Sequence, residues 1–289
     1  MEASQLKRLL LNEVIKAFGL TRWGSLAHCV EGLFAPAVQR FAELAVAFDQ
    51  EVAQRGFSQA ARNVLPVFTE QVQVHLEAPL PEQGALLILS NHPGVIDSLL
   101  LASHLNREDL CIVASNVPFL RHLQATSQHL IFSSHDPFER MKAVRGIIRH
   151  LQEGGTVLIF PGGKIEPDPA FMPGAADELA QWSPSLEVIV RRAPHVHLAV
   201  GAVSGVLCPA WMQNPLVRLR RGRLNQQRTA EFLQVIQQMI APQTPKPSPK
   251  ASIGAPFRLP PNFRPPVLPL IVEKAKERLR LVTQMTRAG

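Results

Sequence analysis

Two short stretches of the chain hold side chains able to move a proton or hold an anion. In the first, the apolar run Leu86-Leu87-Ile88-Leu89 is followed by Ser90-Asn91-His92-Pro93-Gly94, and Asp97 comes three residues later. On one continuous helix His92 and Asp97 would lie about 140° out of phase, at ~3.6 residues per turn. They meet only if the chain turns between them, and Pro93-Gly94 supplies a turn. A carboxylate at imidazole Nδ1–H then leaves Nε2 free to take a proton from a hydroxyl. The competing reading makes Asp97 a helix N-cap and His92 an ordinary loop residue. In the second stretch, Thr156-Val157-Leu158-Ile159 leads into Phe160-Pro161-Gly162-Gly163-Lys164. Paired glycines can expose backbone N–H groups to an anion and Lys164 adds a point charge, although most such triplets are only turns. Neither the Walker A spacing nor a Gly-x-Gly-x-x-Gly loop is present.

These loops need strands to carry them. Apolar runs at 85–89, 110–114, 156–160, 186–190 and 198–203 read as buried strands, and 96–105, 118–129 and 140–152 read as helices. That alternation predicts an α/β domain over 61–241, with a mostly parallel central sheet covered by helices. Groups just beyond the strand C-termini of such a sheet face its ligand crevice. Residues 1–60 read as an N-terminal helical hairpin. Leu6, Leu9, Leu10 and Phe18 share one face up to a stop at Gly19, and Leu33, Phe34, Ala37, Val38, Phe41, Leu44, Ala45 and Phe48 form a second stripe kinked at Pro36. Nine prolines in 242–266 predict a linker with no packed core, followed by a basic amphipathic helix over 267–289. That helix can dock on the body or lie on a lipid surface.

Charge and cysteines bound the function. Residues 1–60 hold six basic and six acidic side chains, 61–242 hold fifteen of each, and 243–289 hold nine basic against two acidic. The tail therefore supplies the whole net charge of +7, which points to an anionic surface touched at one end. Without tyrosine or aromatic–arginine interleaving, the chain offers no platform for nucleic acid. Cys29, Cys111 and Cys208 lie far apart, which excludes a disulfide framework and a four-cysteine zinc site. The sequence nominates no third ligand to join His195 and His197 in a metal site, and Ser204 misses the Gly-x-Ser-x-Gly elbow. Arg218, Arg220, Arg221 and Arg223 read as a solvated basic strand edge, with a phosphate grip as the alternative.

Taken together, in this order and about 70 residues apart, the two loops resemble the glycerolipid acyltransferase family of glycerol-3-phosphate and 1-acylglycerol-3-phosphate acyltransferases. Asn91-His92 through Asp97 matches the family's Asn-His-x4-Asp block. Phe160-Pro161-Gly162-Gly163-Lys164 matches part of its Phe-Pro-Glu-Gly-Thr block, and the likeness spans roughly residues 65–225. The family glutamate is Gly162 here and its threonine is Lys164; the Gly-Gly-basic form is closer to the soluble plastid type, where a second arginine stands in the place of Glu166. The family's intermediate block usually ends a strand with arginine, and the nearest one here is Arg140. The resemblance implies an O-acyltransferase in which His92 is the general base, Asp97 orients it, and backbone N–H groups near the loop stabilise the oxyanion. It further implies that Asn91, Gly162, Gly163, Lys164 and Arg140 bind the acceptor. The donor would be acyl-CoA or acyl-carrier protein, and the acceptor glycerol-3-phosphate or a lysophospholipid. No metal or further cofactor would be needed. The expected location is cytoplasmic and peripheral to an anionic membrane. A non-phosphorylated acceptor, or a non-catalytic lipid-binding role, stays open because of the altered loop.

Overall fold

The computed structural model describes residues 3–17, 24–134 and 136–288. The helices are α1 (Ala3–Ala17), α2 (Gly24–Arg55), α3 (Phe57–Phe68), α4 (Asp97–Ala102), α5 (Pro118–Arg121), α6 (Gln124–Gln128), α7 (Pro137–Gln152), α8 (Ala175–Glu178), α9 (Ser185–Arg192), α10 (Pro209–Met212), α11 (Pro215–Arg218), α12 (Arg223–Ile240) and α13 (Val267–Ala288). The strands are β1 (Gln73–Leu76), β2 (Leu86–Leu89), β3 (Leu110–Ser115), β4 (Leu130–Ser133), β5 (Thr156–Ile159), β6 (His197–Ser204) and β7 (Lys250–Ile253). They form one seven-stranded sheet in the order β1-β7-β6-β2-β5-β3-β4. Every pairing is parallel except β6 with β7. The α/β class with a mostly parallel, helix-covered sheet is thus observed.

The centre of the sheet explains its sequence. Strand β2 pairs with β5 and β6 in register, so that Ile88 faces Leu158 and Ala199. All four β2 side chains are fully buried: Leu86 and Ile88 pack on one face, Leu87 and Leu89 on the other. A strand covered on both faces has no polar position, which gives the unbroken Leu-Leu-Ile-Leu run. One face is covered by α2, α3, α4 and α12, the other by α7, α9 and α13. The N-terminal helices pack together through Leu6, Leu10, Val38 and Ala42. Phe18 and Gly19 lie outside the described residues.

Three expectations are corrected. Residues 186–190 are not a strand but part of α9. Leu186, Ile189 and Val190 are buried at helical spacing while Val188 is half exposed, so the 3.6-residue period overrides β-branched propensity. The segment 118–129 is two short helices, α5 and α6, rather than one.

The third correction concerns the tail. Residues 242–266 are not a free linker, because β7 inserts between β1 and β6, with Ala251 and Ile253 fully buried. The four strand residues contain no proline. Pro247 and Pro249 sit just before them and supply carbonyls to Glu70 N–H and Gln73 N–H, a role that needs no donor. Helix α13 then docks on β6 and β7 through Val267, Ile271, Ala275, Leu279 and Val282. Arg278 pairs with Glu77 at 3.0 Å. The basic tail is therefore packed on the body through β7 and α13.

Candidate active site

Strands β2, β5 and β6 run the same way, so the loops that follow them emerge at one edge of the sheet. After Leu89 the chain turns through Pro93-Gly94, and Asp97 opens α4. Its carboxylate faces back toward the loop: Oδ2 lies 2.9 Å and Oδ1 3.0 Å from His92 Nδ1, and Gly94 N–H donates to Oδ2 at 3.1 Å. Asp97 is fully buried, and no side chain caps the start of α4, so the N-cap reading is replaced by an imidazole–carboxylate pair. A carboxylate can only accept here, which makes Nδ1 the protonated nitrogen and Nε2 the free base. The His92 ring stacks on Phe160 at 4.4 Å, joining the two loops. Burial by itself lowers the His92 pKa, but the charge and hydrogen bond of Asp97, aided by Glu231 and Glu166, outweigh it and leave the value above 6.5.

The loop after β5 is tight. Gly163 adopts φ 64°, in the left-handed region, and its N–H closes a turn onto Phe160 C=O at 3.0 Å. A Cβ on Gly162 would collide with the Glu166 carboxylate, which lies directly against it. Glu166 Oε1 accepts from Trp182 Nε1 at 3.0 Å, and Glu166 N–H donates to His92 C=O at 2.7 Å. Burial pushes the Glu166 pKa up to about 7, and its Oε2 is buried without a hydrogen-bond partner. Lys164 Nζ is paired with Glu178 Oε2 of α8 at 2.9 Å. Carboxylates of the protein thus lie against both members of the expected cradle, Glu166 at Gly162 and Glu178 at Lys164.

Of the other residues expected at the acceptor, Asn91 is spent on the backbone. Its Nδ2 donates to Val203 C=O at 2.9 Å and its Oδ1 accepts from Val203 N–H at 2.7 Å, which fixes the β2 exit to β6. Arg140 lies exposed on the first turn of α7, which follows β4, three strands from β2. The structure shows no contact between Arg140 and either loop.

Four residues outside this expected set complete the architecture. Asp168 is fully buried and accepts from Ser204 Oγ (3.2 Å), Gly205 N–H (2.9 Å), Val206 N–H (2.9 Å) and Ala170 N–H (3.0 Å). Gln227 on α12 donates to Pro93 C=O at 2.6 Å and Glu166 C=O at 2.9 Å, and accepts from Asp168 N–H at 3.0 Å. Four residues on, Glu231 accepts from Val95 N–H at 2.5 Å and presses on Gly94, where a Cβ would collide with it. Burial pushes its pKa up to about 7. Gln234 continues the row, accepting from Cys208 N–H at 2.7 Å. Strand-end loops leave backbone groups without ladder partners, and an amide side chain, being both donor and acceptor, replaces those partners. The sequence signal is the Gln-x3-Glu-x2-Gln spacing on one helix face, which reads as solvated until the loops beneath it are seen.

The comparisons with known proteins bear on this region. Residues 71–213 match the family model Acyltransferase, a span that holds both loops and ends before α12. Among solved structures, the chain is similar to the crystal structure of the 1-acyl-sn-glycerophosphate (LPA) acyltransferase PlsC from Thermotoga maritima. The two are 14% identical, with 93% of this chain and 86% of that one covered and a TM-score of 0.46. No curated protein matches the chain.

Proposed function

We propose, on the premise that the chain belongs to the acyltransferase family through residues 71–213, that it transfers an acyl group from a thioester to a hydroxyl. The observation that carries the reading is the His92–Asp97 pair at the end of the central strand. His92 Nε2 takes the hydroxyl proton as the oxygen attacks the thioester carbonyl, and buried Asp97 stabilises the imidazolium that forms. The tetrahedral intermediate collapses with loss of the thiolate, which recovers the proton from His92, so ester and free thiol are formed without an acyl-enzyme. The N–H groups of Gly94 and Val95 are committed to Asp97 and Glu231, so the oxyanion takes its donors from elsewhere.

The acceptor is glycerol-3-phosphate or a lysophospholipid, and the donor acyl-CoA or acyl-carrier protein; the two loop motifs support this class. A second reading, a hydroxyl acceptor without phosphate, is favoured by one observation: Glu166 covers Gly162 while Glu178 holds Lys164. Lys164→Ala separates them. A rise of tenfold or more in KM for the phosphorylated acceptor supports the first, at roughly 1.5–3 kcal/mol for a hydrogen bond to a charged group. An unchanged KM supports the second. Thiol release from palmitoyl-CoA that depends on the acceptor and vanishes in His92→Ala tests the reaction itself. No helix among the described residues is long and apolar enough to cross a membrane.

A further inference from the structure

Helix α12 runs across the sheet edge that holds the active site. Successive side chains of α12 bond Pro93 and Glu166, then Val95, then Val206 and Cys208, then Phe68. The segment that feeds it, residues 214–223, therefore emerges beside the catalytic loops. Its sequence is Asn-Pro-Leu-Val-Arg-Leu-Arg-Arg-Gly-Arg. It is firmly built: Asn214 caps Leu216 N–H at 2.9 Å, Pro215 starts α11, and Val217 is fully buried. The two leucines on either side of Val217 point the other way, Leu216 61% and Leu219 79% exposed. Arg218, Arg221 and Arg223 are exposed around them.

An element that anchors one apolar residue and presents two others to solvent, ringed by guanidinium groups, matches a bilayer surface. Its leucines suit hydrocarbon and its arginines suit a layer of negative headgroups. The same edge carries another exposed apolar side chain: Val95, three residues from His92 and bonded through its N–H to Glu231 of α12, is 56% exposed.

We propose that the 214–223 segment, with Val95 on the same sheet edge, is the surface by which the protein sits on an anionic bilayer, holding the His92 loop at the lipid headgroups. The proposal rests on the acyl-transfer reading for its purpose, since long-chain acceptors stay in the bilayer, but not for its observations. It also moves the lipid contact from the basic tail, which is folded into the body, to the active-site edge.

The test is flotation of the full chain with vesicles of phosphatidylcholine alone or mixed with phosphatidylglycerol, at low and high salt. Wild-type protein should float with the anionic vesicles and be released only in part by salt. Arg218→Gln/Arg221→Gln/Arg223→Gln should weaken that binding about a hundredfold at low salt, at roughly 1 kcal/mol per basic residue. Leu216→Ser/Leu219→Ser should abolish the salt-resistant part. The tail triple Arg258→Gln/Arg264→Gln/Arg280→Gln removes equal charge elsewhere and should leave flotation intact, with circular dichroism confirming each fold. Flotation unchanged in both edge variants, or lost in the tail variant instead, overturns the proposal. So does an edge variant that still floats but loses only transfer from acyl-carrier protein, which would make the surface a carrier dock. Activity with acyl-CoA or acyl-carrier-protein donor and detergent-dispersed acceptor is measured in parallel. Its absence from the wild type with both donors would remove the acyl-transfer reading while leaving the flotation result to decide the membrane surface.

Discussion

Replacing Asp97 with Asn keeps the shape of the pair and removes its charge. Asp97 is fully buried, its two oxygens lie 3.0 and 2.9 Å from His92 Nδ1, and Oδ2 also accepts from Gly94 N–H. An Asn there can offer one acceptor to Nδ1–H or to Gly94, and its amide N–H then faces the other donor. The larger effect is electrostatic. With charge centres about 4 Å apart and an effective dielectric near 20, the carboxylate stabilises the imidazolium by roughly 4 kcal/mol. Losing most of that slows proton transfer by about a thousandfold. The pH profile gives an independent readout. Burial lowers the His92 pKa and Asp97 more than offsets it, so without the charge the value falls. Because His92 acts only when neutral, the acid limb of kcat/KM moves to lower pH even as the rate drops. The same linkage appears in stability. The raised His92 pKa stabilises the fold below its unfolded value of 6.5 and ceases to do so as pH rises through the folded value, and Asp97→Asn removes that contribution. The assay is thiol release from palmitoyl-CoA with saturating acceptor, from about pH 5 to about pH 9. A rate within about tenfold of wild type, or an acid limb displaced upward, would refute the reasoning.

Other perturbations follow from the same geometry. Glu231 is buried with a pKa pushed from 4.5 up to about 7, so its stabilising balance is complete below 4.5 and lost as pH rises through 7. Glu231→Gln keeps the acceptor for Val95 N–H and should raise stability at pH 8 by up to about 3 kcal/mol with little effect at pH 4, read from urea unfolding at both values. Gly162→Ala should destabilise the fold by about 1–3 kcal/mol and lower activity, because the new Cβ displaces Glu166 from Trp182; Gly162→Ala/Glu166→Ala should recover the fold. Ile271→Ala, in the face of α13 that covers the sheet, should cost about 2–5 kcal/mol in the same unfolding measurement. Truncation at residue 242 should leave an insoluble protein, since it removes a strand with neighbours on both sides; a folded, soluble product would contradict the placement of β7.

What the sequence discloses about this molecule is local. Strands β2, β5 and β6 are visible as apolar runs because burial on both faces leaves little alternation to misread, and β3, whose burial alternates, is visible because its half-buried positions are apolar or small as well. The approach of His92 to Asp97 is legible because the turn that brings them together lies between them. What escapes depends on partners distant in the chain. Gly162 and Lys164 suggest an open cradle, and nothing in the triplet reveals that Glu166 lies against the one and Glu178 pairs with the other. Strand β7 is hidden among prolines that belong to its flanks. The Gln227–Glu231–Gln234 row looks solvent-facing because side chains that substitute for backbone partners have the same composition as those that meet water. Asn91 is conspicuous in the motif, but its bonds to Val203 give it a positioning role that only the β6 register shows.

The most direct test of the central claim compares wild type with His92→Ala, folding verified, in thiol release from palmitoyl-CoA with and without lysophosphatidic acid or glycerol-3-phosphate. The account predicts release that requires an acceptor, yields the matching ester and vanishes in the variant. Acceptor-dependent release that survives in His92→Ala would contradict it.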